Sequence, residues 1–210
     1  MTDNAVFSGL AVIFTFLFML SAGSFLKILP SLWDSVIRWK GNIELEDSLQ
    51  LSGSRNLIAS ILFIPLCMTA YSHSLYLPDY MDRLVPAARL AATCGTFIAY
   101  IALREFLNWQ LEMSSYRSKT FTAANRSFYS YIIVLFLLLF PIGGLLDVFA
   151  VDEAMTRSVL TYAAAISYII YAFRRGQIFA SACNPFTTFL YLCGLELLPT
   201  AALVISARLL

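Results

Sequence analysis

The sequence predicts an all-α, polytopic membrane bundle of six transmembrane helices, with a short interfacial helix after the first, in one domain over residues 1–210. Three observations predict it. Of the 210 residues, 60% are hydrophobic and 13% charged, where soluble domains run at about 45–50% and about 25%. The mean hydropathy is +0.75. Six stretches approach the roughly 20 apolar residues that a helix needs to cross a bilayer core of about 30 Å. So little polar surface excludes a disordered chain, a nucleic-acid binder and an ordinary soluble enzyme. The formal charge of +1 implies no polyanionic partner.

The six stretches are residues 6–26, 56–76, 87–107, 128–148, 158–172 and 186–203. Each must be a helix, because lipid offers no partner to an open strand edge. The run from Ile132 to Phe140 is apolar without alternation, unlike a barrel strand. Pro65, Pro141 and Pro199 fall inside the second, fourth and sixth helices, and each removes one main-chain hydrogen bond. The first helix is expected to stay uncleaved, since Met1-Thr2-Asp3-Asn4 has an acid and no basic side chain.

Basic residues mark the cytoplasmic side. Lys27, Arg38, Lys40, Arg55, Arg104, Arg117, Lys119, Arg126, Arg174 and Arg175 fall on one side of such a bundle, leaving Arg83, Arg89, Arg157 and Arg208 on the other. Both termini are therefore predicted outside, in a periplasm. In the first cytoplasmic loop, Pro30 and Ser31 with Asp34 resemble a helix start. Leu32, Trp33, Val36 and Ile37 share a face beside Arg38 and Lys40. This predicts a helix lying on the inner leaflet, with Trp33 and Trp39 at headgroup level. Residues 42–54 are polar and read as a loop. In the third loop, Phe106, Trp109 and Met113 continue one helical face towards Tyr116, Arg117 and Lys119.

The chemistry of a typical active site is sparse. His73 is the one histidine, and its neighbours Ser72 and Ser74 do not face it on a helix. No metal site, cofactor motif or nucleophile elbow is predicted. Cys67, Cys94, Cys183 and Cys193 lack CxxC spacing and are expected to be free thiols.

Glu196 is the acid that hydropathy places deep in a membrane helix, where a carboxylate costs about 2.5–3.5 kcal/mol. Pro199 frees the carbonyl of Leu195 at the same depth. The nearest cations, including Arg104, are expected near the membrane edges, able to snorkel. Glu196 is therefore expected to be neutral and hydrogen-bonded to Tyr168 or Ser167. With Cys193 and Pro199 these residues form the candidate binding or proton site, or else a polar clasp between the last two helices. Ala91, Gly95 and Ala99 have the spacing of a close-packing seam.

The run Tyr191-Leu192-Cys193-Gly194-Leu195-Glu196-Leu197-Leu198-Pro199 resembles the last helix of a family of uncharacterised multi-pass inner-membrane proteins of Bacteroidota, a domain of unknown function. Asn108-Trp109 and Phe140-Pro141 are weaker points of similarity, and Arg117-Ser118-Lys119-Thr120 departs from that family's third loop. The resemblance implies a bacterial inner membrane and a helical bundle, with no activity attached. The expected role is a non-enzymatic accessory or scaffold subunit of an envelope complex, with membrane lipid and a protein partner or second copy as its contacts. The alternative is a small transporter or lipid-handling protein that uses the Glu196–Pro199 helix break.

Overall fold

The computed structural model describes residues 2–76, 78, 81, 84–114, 119–181 and 183–209. Among them every regular element is helical. The order is α1 (Thr2–Ile37), α2 (Trp39–Asp47), α3 (Leu49–Ser72), α4 (Pro86–Ser114), α5 (Lys119–Val148), α6 (Glu153–Ala180) and α7 (Pro185–Leu192). A π-helical turn over Cys193–Leu197 then leads into α8 (Leu198–Leu209), so α7, the turn and α8 form one continuous rod. Five segments are long and apolar enough to cross a membrane: Ser8–Ile37, Gln50–Ser72, Pro86–Gln110, Phe121–Val148 and Pro185–Ala207. α6 is as long, at 28 residues, but carries Glu153, Arg157, Arg174, Arg175 and Gln177.

The helices outrun the apolar stretches that predict them. α4 continues to Ser114 and α6 to Ala180, so Arg104, Arg174 and Arg175 lie inside helices and not at their ends. α1 runs through Pro30 without a break and stops at Arg38, whose backbone is extended at φ −127 and ψ 128. The separate helix expected around Ser31–Lys40 is therefore the end of α1. Leu32 from its expected apolar face is core, while Trp33 and Ile37 are exposed.

A short helix after the first does exist, but it lies in the stretch read as a loop. α2 folds back on α1 because Gly41 has no side chain. A Cβ there would stand 2.7–2.9 Å from the Asp34 and Ser35 backbone. Asn42 Nδ2 donates to the Ser35 carbonyl at 3.1 Å and fastens the reversal. The polar character of residues 42–54 serves buried ionic contacts. Arg55, fully buried, donates to Glu46 Oε2 at 3.0 Å, and Arg126 of α5 pairs with Glu46 Oε1.

The main core joins α1, α3, α5 and α6 through Ile28, Leu32, Ile58, Leu62, Phe128, Ile132, Ile133, Phe136 and Tyr171. A second core of Phe121, Ala124, Ile178, Phe179 and Leu195 joins α5, α6 and the segment that carries Glu196. The small-residue stripe of α4 does not pack inside the chain. Ala91, Gly95 and Ala99 are all exposed, and a Cβ on Gly95 would meet nothing within 4 Å. The side chains α4 buries are Leu90, Thr93, Arg104 and Asn108. The polarity of the molecule is inverted relative to a soluble bundle. Arg55, Arg104, Arg175 and Glu196 are 0% exposed, while Val12 is 69% and Met19 73% exposed.

Candidate functional site

Helical spacing assembles the site from three elements. On α4, Tyr100, Arg104 and Asn108 follow at four-residue intervals and share one face. On α6, Tyr168, Tyr171 and Arg175 are spaced by three and four residues and share one face as well. The third contributor is the π-helical turn, which carries Glu196 and ends three residues before Thr200. The turn adds a residue to the helix, with the Leu198 N–H reaching back to the Cys193 carbonyl. Pro199 follows at once and has no N–H to give, so the wider turn sits where the ordinary helical ladder would be broken anyway.

Glu196 Oε1 is the meeting point. It accepts from Arg104 Nε and Nη2, both at 3.1 Å, and from the Tyr171 hydroxyl at 3.0 Å. Arg175 Nη1 is in direct contact with the same oxygen. The Tyr171 hydroxyl is saturated in turn, accepting from Arg104 Nη2 at 2.9 Å and from Arg175 Nη1 at 3.0 Å. Asn108 Oδ1 accepts from Arg175 Nη2 at 3.2 Å. Glu105, half exposed, places Oε1 3.6 Å from Arg104 Nη1. Two guanidinium groups thus face two carboxyl groups.

Aromatic rings complete the lining. The Arg104 guanidinium lies 4.0 Å from the centroid of Phe128, and that of Arg175 5.4 Å from Phe179. Both arrangements add cation–π attraction in a desolvated place. Tyr131 stacks on Tyr171 at 4.7 Å.

This overturns the electrostatic expectation for Glu196. Two cations reach it, so it is an ion-pair partner and not an isolated neutral acid. Arg104 is fully buried and does not snorkel. Tyr168 does meet Glu196, but its hydroxyl donates to the main-chain carbonyl at 3.0 Å and not to the carboxyl group. Ser167 takes no part. It is buried one helical turn before Tyr171 and is a side-chain partner of Tyr131. Cys193 opens the π-helical turn, and all four cysteines are free. Thr200, one turn beyond Glu196, pairs with the Tyr100 hydroxyl at 3.2 Å. The signal that was missed is the shared phase of Tyr100, Arg104 and Asn108 on one helix and Tyr171 and Arg175 on another.

The remaining predicted positions lie elsewhere. Trp33, Arg38 and Lys40 are exposed at the α1–α2 corner. The side chains of Trp39 and Met113, and Tyr116 and Arg117 entirely, lie outside the described residues. His73 caps α3, packed on Gly143 of α5 and 3.8 Å from Asp147. Among the described residues no group of three or more His, Cys, Asp or Glu is placed to hold a metal ion.

Four polar atoms of the cluster have no hydrogen-bond partner: Glu196 Oε2, Arg104 Nη1, Arg175 Nε and Asn108 Nδ2. The arrangement can hold three helical segments together through charge. It can also offer one acceptor and three donors to a small polar group. Comparison with protein-family models, with curated proteins and with solved structures returned no match to the chain.

Proposed function

We propose that the chain is an integral protein of the bacterial inner membrane, crossing it six times with both termini outside, and that it serves as a non-enzymatic accessory subunit of an envelope assembly. The observation that carries this reading is the inverted polarity, with four charged side chains fully buried and apolar side chains facing outward. Lipid favours that arrangement and water does not. α6 provides the sixth crossing. Only four residues, 149–152, join it to α5, and so short a link makes neighbouring helices antiparallel. At about 1.5 Å per residue its 28 residues are long enough to return across the bilayer.

On this reading the Arg104–Glu196–Arg175 cluster is a clasp that fixes the last helix to α4 and α6. Trp33, 69% exposed beside Arg38, marks the corner offered to a partner. Topology is tested with single thiols in a cysteine-free background. Phe149→Cys should react with an impermeant maleimide in intact cells, and Ser181→Cys should react only after lysis. Equal reactivity at both positions defeats the sixth crossing. A photo-crosslinker at Trp33 should give one discrete protein adduct in cells, and its absence removes the accessory role.

The second reading, a transporter or lipid-handling protein working at the Glu196–Pro199 break, draws on the four unpartnered atoms. Replacing a whole buried ion cluster with apolar residues of similar size is often tolerated, unlike breaking it. The triple variant Arg104→Met, Arg175→Leu, Glu196→Leu therefore separates the two. Retained complementation in cells supports the clasp. A folded protein without function supports the site.

A further inference from the structure

A cavity of about 310 Å³ opens between the α1–α2 corner, α5 and α6, away from the ionic cluster but sharing Tyr171 with it. Its polarity is graded along the helices. One end carries Ser35, Asn42, Ser130 and Arg174, and the other carries Leu138, Ile166 and Ile170. Two polar atoms at the first end have no hydrogen-bond partner, Asn42 Oδ1 and Ser130 Oγ, on residues each only 4% exposed. Arg174 is held in place by the Val36 carbonyl, accepting from Nε at 3.0 Å, and by Gln177 Oε1, accepting from Nη1 at 2.9 Å. Both partners are uncharged, so neither cancels its positive charge.

Length selects the occupant. From Ser127 to Leu138 the α5 wall of the cavity rises about 16 Å at 1.5 Å per residue. That is half of a bilayer core of about 30 Å. A transmembrane helix of a partner crosses both leaflets and has no reason to match a groove that stops midway. A single lipid does match it. The volume is at the lower end of ligand pockets, about 300–1,000 Å³, and the far end is bounded by Ile166 and Ile170, 59% and 46% exposed.

We propose that this cavity is a binding site for one inner-leaflet phospholipid with an amine headgroup. The phosphate faces Arg174 and the ammonium group donates to Asn42 Oδ1. Ser130 Oγ hydrogen-bonds an ester oxygen, and one acyl chain lies along Leu138, Ile166 and Ile170. Basic pockets on the cytoplasmic side of membrane helices hold lipid headgroups through their phosphates; Asn42 Oδ1 adds the contact that selects an amine. The inference rests on the membrane placement proposed above and not on the accessory role.

The test uses the full chain in nanodiscs of equimolar phosphatidylethanolamine and phosphatidylcholine, released into mild detergent for native mass spectrometry. The two lipids differ in their headgroup N–H donors. One phosphatidylethanolamine should stay bound per chain, at least fivefold in excess over phosphatidylcholine. Ile170→Trp, which fills the groove, should cut retention at least fivefold. Ile169→Trp, an exposed neighbour outside the lining, should leave it unchanged. Arg174→Gln should erode the retention of both lipids. Equal retention of the two lipids, or wild-type retention by Ile170→Trp, overturns the proposal. A lipid-free dimer overturns it too, by seating a second copy in the groove. A chain that does not enter nanodiscs at all defeats the membrane placement itself.

Discussion

Arg104 and Glu196 lie 92 residues apart in the chain and meet through two hydrogen bonds of 3.1 Å to the same carboxylate oxygen. The relationship explains why a costly acid is kept in an apolar rod. It ties the C-terminal segment to α4, and Arg175 ties it again to α6.

Removing the acid is therefore worse than removing an isolated buried group. Glu196→Leu leaves two buried guanidinium groups with only the half-exposed Glu105 carboxylate, 3.6 Å from Arg104 Nη1, beside them, and breaking a buried pair costs about 3–5 kcal/mol. Glu196→Gln keeps an acceptor oxygen but not the charge, and should fall between Leu and wild type. Thermal unfolding in detergent should rank wild type, Gln, Leu in that order. Identical stabilities would show that the carboxylate does not hold the segments together.

Tyr171→Phe removes one hydroxyl that donates once and accepts twice. The ring still packs on Tyr131 and Phe128. The expected loss is about 1–3 kcal/mol, the usual cost of leaving buried partners unsatisfied. A double-mutant cycle with Glu196→Gln should show coupling, because the two groups share donors. Additive losses would mean that the hydroxyl acts independently.

Much of the bundle was legible because apolar runs report what lipid or core will accept. The ion cluster is not legible in that way, because the ends of apolar runs are a poor gauge of depth where the helices continue past them. α4 and α6 extend beyond them, which moves Arg104 and Arg175 inward by the length of the overhang. The π-helical turn compounds the error by altering the phase of Glu196 relative to the residues before it. Residues 42–54 suggest a loop because their polar side chains are of the kind that water solvates. Asn42 and Glu46 are instead partners of the Ser35 carbonyl and of Arg55. The small-residue stripe at Ala91, Gly95 and Ala99 has the right spacing but faces outward, and spacing alone does not say which face is covered.

The α1–α2 reversal depends on Gly41. A side chain there meets main-chain atoms at 2.7–2.9 Å, which cannot swing aside. Gly41→Val should destabilise by about 1–3 kcal/mol, as overpacking does. Gly53→Ala, with nothing within 4 Å, is the matched control and should not. If both variants melt alike, α2 does not pack as described.

Glu46 holds two arginines of unequal burial, Arg55 at 0% and Arg126 at 44% exposure. The exposed partner is worth little, about 0–1 kcal/mol, so Arg126→Ala should be nearly silent. Glu46→Ala strands the buried guanidinium and should cost several-fold more. Equal effects in urea titrations of the detergent-solubilised protein would contradict the burial of Arg55.

Gly143 and Gly144 are adjacent in α5, yet they should answer the same substitution with opposite signs. Alanine in a helix interior stabilises relative to glycine by about 0.5–1 kcal/mol. Gly144 has open space, with nothing within 4 Å of a new Cβ, so Gly144→Ala should realise that gain. At Gly143 the Cβ would stand 2.9 Å from His73 Nε2. The ring can move, but it lies 3.8 Å from Asp147 of α5, so moving it disturbs the α3–α5 contact. That loss should cancel the helical gain or exceed it. Gly143→Ala should therefore melt at or below wild type, while Gly144→Ala melts above it. The displaced ring should also react faster with diethyl pyrocarbonate in Gly143→Ala alone. Equal stabilisation by both substitutions, with no change in histidine reactivity, would rule out the close approach of His73 to α5.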